Sequence, residues 1–168
     1  MKRLLGSKIE VDYLTVIGKD YLSDELEKYV RAEGVGTKNI RRSEDRTVGI
    51  YSVSTDENGE RDFRYWRDSS AARLLFSSKE DFSELLKYDL IYFTGISLAI
   101  LPDPVRNKLL TFLENKKNGS KIAFDSNYRV NLWENKKVAR ENINRAFECA
   151  DIALPSLNDQ TNLMEFGN

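Results

Sequence analysis

Two short stretches of this chain gather side chains able to hold a small anionic molecule. The first is Phe124-Asp125-Ser126-Asn127-Tyr128-Arg129, which follows the apolar run Lys121-Ile122-Ala123. A strand ending this way presents a carboxylate, an amide, a phenol and a guanidinium at its carboxyl end, where open α/β sheets bind their ligands. The second is Phe63-Arg64-Tyr65-Trp66-Arg67, an alternation of aromatic and cationic residues. Arginine's planar fork makes paired, charge-assisted hydrogen bonds to carboxylate or phosphate, and tyrosine combines an apolar ring with a hydroxyl that needs a partner. Taken by themselves the residues leave plainer readings open. The hairpin stretch can form a half-solvated face, and Asp125 to Arg129 can cap the next helix or pair with one another.

These stretches need elements to carry them. Tyr13-Leu14-Thr15-Val16-Ile17-Gly18 reads as a strand, and Leu22, Leu26, Tyr29 and Val30 recur at helical spacing until Gly34 stops the helix. Gly49 to Ser54 alternates, Asp56-Glu57-Asn58-Gly59 turns, and Asp62 to Arg67 answers, which predicts a β-hairpin. Ser77 with Glu80 offers a capping box for a helix carrying Phe82, Leu85 and Leu86. Leu90 to Thr94 is the next strand, closed by Gly95. Asp103-Pro104 offers an N-cap and a first-position proline for a helix with Val105, Leu109, Phe112 and Leu113, which Asn118-Gly119 would stop. Lys121 to Phe124 is a strand, Ala139, Ile143, Ala146 and Phe147 mark a helix, and Ile152-Ala153-Leu154 a further strand. Such alternation predicts an α/β fold, a parallel sheet with helices packed on it. Met1 to Gly6 reads as the last turn of a helix, and another helix begins at Asn158.

Composition narrows the chemistry. With 168 residues, 40% of them hydrophobic and 32% charged, the chain suits one soluble globular domain or part of a larger one. A net charge of −1 gives no basic field to draw it to nucleic acid or membrane. Histidine is absent, which excludes Ser-His-Asp and Cys-His nucleophiles and histidine-based metal sites. The one cysteine, Cys149, sits among apolar helix residues and reads as a buried inert thiol, in keeping with a reducing compartment. No apolar run approaches the ~20 residues needed to span a bilayer, and the first residues do not read as a signal peptide, so a cytoplasmic location is expected. Trp66 and Trp133 are expected to be packing residues.

The motifs resemble those of the ribokinase-like (PfkB) carbohydrate kinases, in particular the 2-dehydro-3-deoxygluconate kinase subgroup. The residues that carry the resemblance are Thr15-Val16-Ile17-Gly18-Lys19-Asp20, Gly49-Ile50-Tyr51, Phe63 to Arg73, Thr94-Gly95-Ile96-Ser97-Leu98-Ala99-Ile100-Leu101, and Phe124 to Arg129 with Leu132-Trp133. The aromatic-arginine hairpin and Asn127-Tyr128-Arg129 point to the subgroup, whereas Gly95-Ile96-Ser97 is shared more widely. The resemblance runs from about Val11 to Leu163 and implies a ribokinase-like sandwich with a β-hairpin lid over the sugar, truncated at both ends. It divides residues 1–168 into a lid hairpin at about 48–67 and an α/β core at 10–34 and 77–168.

The implied reaction is ATP-dependent phosphorylation of 2-dehydro-3-deoxy-D-gluconate at its 6-hydroxyl, with ATP and Mg2+ as cofactors. Position by position, Tyr51, Tyr65 and Arg67 match lid residues that contact the sugar acid, and Arg129 matches an arginine that contacts it from the core. Asn127, Tyr128 and Arg129 lie in a stretch bordering the nucleotide. Arg67 and Arg129 are thus expected to serve one anionic ligand. The family's glycine-rich sugar loop and the Gly-Ala-Gly-Asp segment bearing the anion hole and the catalytic aspartate have no counterpart in the chain. In the Asn-x-x-Glu motif linked to magnesium and phosphate, Leu157 holds the first position and Gln160 the last, so no metal is expected to be held there. The chain alone is therefore expected to have negligible kinase activity and to aggregate readily. A homodimer through the lid is implied as partner. The alternatives are a non-catalytic remnant that binds a sugar acid, and a kinase of another sugar or a nucleoside, against which the two arginines speak.

Overall fold

The computed structural model describes residues 6–59, 61–116 and 119–163. The expected helical turn at Met1 to Leu5 and Asn118 of the expected stop lie outside the described residues. The chain forms two compact units, residues 1–75 and 76–168.

In the first unit, strand β1 (Thr15–Ile17) is fully buried and leads into helix α1 (Tyr21–Ala32). Asp20 caps that helix. Its carboxylate accepts from Ser23 N at 3.1 Å and Ser23 Oγ at 2.7 Å, and Ser23 Oγ in turn accepts from Gly18 N at 2.8 Å. The hydroxyls of Thr47 and Ser23 stabilise the anion and hold the Asp20 carboxyl at about 2. Gly34, at φ +73°, takes the left-handed step that ends α1, with Val35 N bonded back to Val30 O as the sequence predicts.

The apolar face expected of α1 is not buried throughout, since Leu22 and Tyr29 are exposed. Polar contacts hold the helix instead: Arg42 reaches Asp24 at 2.5 Å and Glu27 at 2.6 Å. Arg42 belongs to β2 (Ile40–Arg42), which pairs in parallel with β1 and which its Ile-Arg-Arg sequence, lacking any apolar alternation, did not announce. The hairpin forms as expected from β3 (Ile50–Thr55) and β4 (Arg61–Trp66), antiparallel, with Tyr51 opposite Tyr65 and Val53 opposite Phe63.

The second unit is a three-stranded parallel sheet in the order β5 (Leu90–Thr94), β6 (Lys121–Asp125), β7 (Ile152–Leu154). Its helices are α2 (Lys79–Leu85), α3 (Gly95–Ala99), α4 (Asp103–Glu114), α5 (Lys136–Glu148) and α6 (Leu157–Leu163). The core is aromatic at its centre. Phe124 is fully buried, 5.0 Å from the Phe93 ring and 4.9 Å from that of Phe147 on α5. Phe76, Phe82 and Phe112 form a second aromatic run.

Two helix starts are displaced by one residue from expectation. Ser78, not Ser77, caps α2, its Oγ accepting from Glu80 N, and Pro102 precedes α4, with Asp103 as its first residue. Trp133 is buried as expected, beneath the Arg106 guanidinium at 5.0 Å, but Trp66 is 62% exposed because that face of the hairpin is uncovered. Cys149 is half-buried, and burial pushes its thiol up, as suits an unreactive sulfur.

Candidate functional site

The carboxyl end of β6 is built as the sequence implies and then anchored by residues the sequence did not single out. Asp125 closes the strand and starts the turn, Oδ1 accepting from Asn127 N at 3.1 Å and Oδ2 from the Tyr92 hydroxyl at 3.2 Å. It serves as a turn-former rather than as a helix cap. Burial, then the Asp125 charge and hydrogen bond, push the Tyr92 hydroxyl up. Asn127 sits in the left-handed region at φ +29°, which asparagine tolerates better than most residues.

Ser126 is fully buried, and its carbonyl lies against Gly95 at the start of α3. A Cβ on Gly95 would run into that oxygen, so only glycine lets the ends of β5 and β6 approach this closely. Thr94 and Ser97 complete the α3 start as a reciprocal capping box.

Beyond this turn opens a cleft of about 480 Å³, lined by Asp125, Asn127, Tyr128 and Arg129 after β6 and by Ser156, Asn158, Asp159 and Asn162 after β7. All three residues expected beside the nucleotide therefore meet in one place. Tyr128 is nonetheless buried, which pushes its hydroxyl up, and its N–H is engaged by Asp159 at 3.1 Å. Arg129 is exposed and folds back once, Nη1 to Tyr128 O at 2.8 Å. The amides of Asn127, Asn158 and Asn162 add donors and acceptors, so the cleft can hold a polar, anionic small molecule.

Asp159 was missed. Its only local signal is Ser156-x-x-Asp159, a capping pattern, and Ser156 Oγ does accept from Asp159 N at 3.0 Å. The carboxylate, however, turns away from its own helix and accepts from Ser126 Oγ at 2.8 Å.

The hairpin carries the other expected residues. Tyr51 and Tyr65 face each other with ring centroids 6.2 Å apart, Phe63 stacks on Tyr65 at 6.1 Å, and the Arg67 guanidinium lies 4.0 Å from the Tyr65 ring centre. Tyr51, Tyr65 and Arg67 thus share one face, with Arg67 oriented by a cation–π contact.

The described residues of the cleft do not fit a resident metal. Among the described residues no group of three or more acidic, cysteine or histidine side chains could hold a metal ion. The two carboxylates of the cleft, Asp125 and Asp159, already accept from N–H and O–H donors. Magnesium demands near-octahedral oxygen ligands, and these residues do not supply them.

A parallel sheet whose strand ends open on a polar, arginine-bearing cleft defines an α/β fold of the kind that takes its ligands at the strand ends. Residues 1–165 match the pfkB family carbohydrate kinases, and the chain belongs to that family. It is 39% identical to the 2-dehydro-3-deoxygluconokinase of Escherichia coli K12 over 156 residues, which are 90% of this chain and 50% of that protein. The chain thus spans about half the length of the curated relatives it matches.

Among solved structures, a PfkB protein from Polaromonas sp. JS666 superimposes with a TM-score of 0.81 at 23% identity, over 93% of this chain and 53% of that one. A sugar kinase from Pyrococcus horikoshii in complex with ATP gives 0.78 at 22% identity, over 95% and 51%. These last two show the fold, α/β and ribokinase-like. Among the described residues no helix is long and apolar enough to cross a membrane.

Proposed function

We propose that the whole protein phosphorylates 2-dehydro-3-deoxy-D-gluconate at its 6-hydroxyl with ATP, and that this chain contributes sugar-acid binding. The observation that carries the reading is Arg129: an exposed guanidinium at the carboxyl end of a parallel strand, in a polar cleft, within a chain 39% identical to a 2-dehydro-3-deoxygluconokinase. A sugar acid differs from a neutral sugar by its carboxylate, and a bidentate arginine contact is the natural way to read that difference. Tyr51, Tyr65 and Arg67 are the hairpin's share, two rings for the carbon skeleton and a cation for its oxygens. Asn127 and Arg129 would border the phosphates of ATP. Phosphoryl transfer depends mostly on positioning and charge stabilisation, and these residues suit the positioning part.

Both cleft carboxylates accept from donors that hold the turn, and we assign them to building the cleft rather than to taking a proton from the sugar hydroxyl. The chain alone is therefore expected to bind without turnover. The test is a ligand panel with ADP release followed in parallel. The sugar acid should bind, neutral fructose and a nucleoside should not, and no ADP should form. Equal binding of fructose would overturn the sugar-acid reading, and ordinary turnover would overturn the division of labour.

Pairing of two copies through the hairpin belongs to the same reading, since Ile50 and Trp66 oppose one another and are both exposed. Sedimentation of the chain against Trp66→Ser should show a dimer that the variant loses.

A further inference from the structure

We propose that Asp159 is a positioning residue for Arg129, setting the ligand-binding geometry of the cleft from the far side of the sheet's edge. The inference rests on the reading of Arg129 as a sugar-acid contact. Asp159 is buried on α6, 33 residues along the chain from Ser126, yet its Oδ2 accepts from both Ser126 Oγ at 2.8 Å and Tyr128 N at 3.1 Å. Those two donors flank Asn127, the residue whose left-handed backbone reverses the chain just before Arg129. A third link runs the other way, from Ser156 N to Ser126 Oγ at 3.4 Å, and Ser156 Oγ fixes the Asp159 N–H.

The loops after β6 and β7 are therefore clasped through one carboxylate. Apart from Nη1, bonded within its own turn to Tyr128 O, the Arg129 guanidinium has no hydrogen-bond partner among the described residues. Where its remaining N–H groups meet a ligand depends on the backbone from which the side chain projects, and Asp159 holds that backbone. Buried carboxylates that accept two hydrogen bonds are poor candidates for removal: deleting one leaves its donors unsatisfied.

A merely structural role would lower stability without coupling to Arg129, so the test is a double-mutant cycle. Asp159→Ala, Arg129→Ala and the pair are titrated with 2-dehydro-3-deoxy-D-gluconate, alongside Asp159→Asn, whose amide oxygen can accept the same two bonds. Asp159→Ala should weaken binding about tenfold, the scale of one lost hydrogen bond to a charged group. Adding it to Arg129→Ala should cost nothing further, and Asp159→Asn should recover most of the affinity. Additive losses, or an unaffected Asp159→Ala, would overturn the proposal.

Hydrogen exchange at the Tyr128 amide gives a readout that needs no ligand. The amide should be protected in the unmodified chain and in Asp159→Asn, and should exchange much faster in Asp159→Ala. Unchanged protection would refute the clasp. If the unmodified chain binds no sugar acid while the Tyr128 protection behaves as stated, the substrate reading fails and the clasp stands. Should Asp159→Ala not fold, Ser126→Ala removes one of the two donors and is expected to act in the same direction in both assays.

Discussion

The hairpin and the carboxyl end of β6 both present an arginine beside aromatic or amide groups, but they are held by opposite means. On the hairpin the side chains hold one another: Tyr51, Phe63 and Tyr65 form a run of rings, and Arg67 rests on the last of them. Most of that surface is open, with Tyr51 58% exposed. At β6 the backbone is held first, by Asp125, Asp159 and the glycine contact of α3, and Arg129 is added to a fixed turn. The difference is one of tolerance. A ring run over solvent can adjust to a ligand, whereas a turn clasped by buried hydrogen bonds fixes the backbone from which its cation projects. The hairpin is thus the more adaptable of the two surfaces and the strand end the more rigid.

Phenylalanines on the two sides should respond very differently to truncation. Phe124→Ala removes a ring at the centre of the second unit and is expected to cost about 3–5 kcal/mol in urea unfolding. Phe63→Ala, on the open hairpin, should stay within about 0.5–1 kcal/mol. Similar costs at both positions would show that the hairpin is not the loosely held element described here.

Gly95→Ala comes next. Its methyl would meet the Ser126 carbonyl, and forced repacking of this kind typically costs about 1–3 kcal/mol. The same variant should also weaken sugar-acid binding, because it displaces the turn before Arg129. A variant as stable and as tight-binding as the parent would show that the strand ends yield easily.

The smallest effect is expected in acid. Asp20, capping α1, titrates in the folded chain near 2 instead of the usual 3.8. A depressed carboxylate favours the folded state above its unfolded pKa, and that contribution disappears as pH falls from about 4 toward 2. Asp20→Asn should therefore flatten the pH dependence of unfolding in that window, and an unchanged slope would assign the acid sensitivity to other carboxylates.

Much of this organisation could be read from residue order, for definite reasons. The strands at 90–94, 121–125 and 152–154 announce themselves because parallel strands are short apolar runs between helical stretches. The hairpin does so because alternation has period two and its turn is rich in Asp, Asn and Gly. β2 did not, since its pairing with β1 is decided by where the chain after α1 can lie rather than by Ile-Arg-Arg itself. The start of α2 slipped by one residue because neighbouring serines offer equivalent caps, and that of α4 because Asp103 already takes helical backbone after Pro102, which supplies no side-chain cap.

Within the cleft, Asn127, Tyr128 and Arg129 were found because they are contiguous at a strand end. Asp159 was not, because its role depends on the parallel pairing of β6 with β7, which brings the loops after the two strands together. A carboxylate whose partners are donated from another strand's loop leaves no periodic trace.

The most direct trial of the account is calorimetric titration of 2-dehydro-3-deoxy-D-gluconate into the chain and its Arg129→Ala variant under identical salt. We expect saturable binding by the unmodified chain and a loss of roughly tenfold or more in the variant, as for a charged hydrogen-bonded contact. Equal affinities for the two proteins, or no binding heat from the unmodified chain, would contradict it.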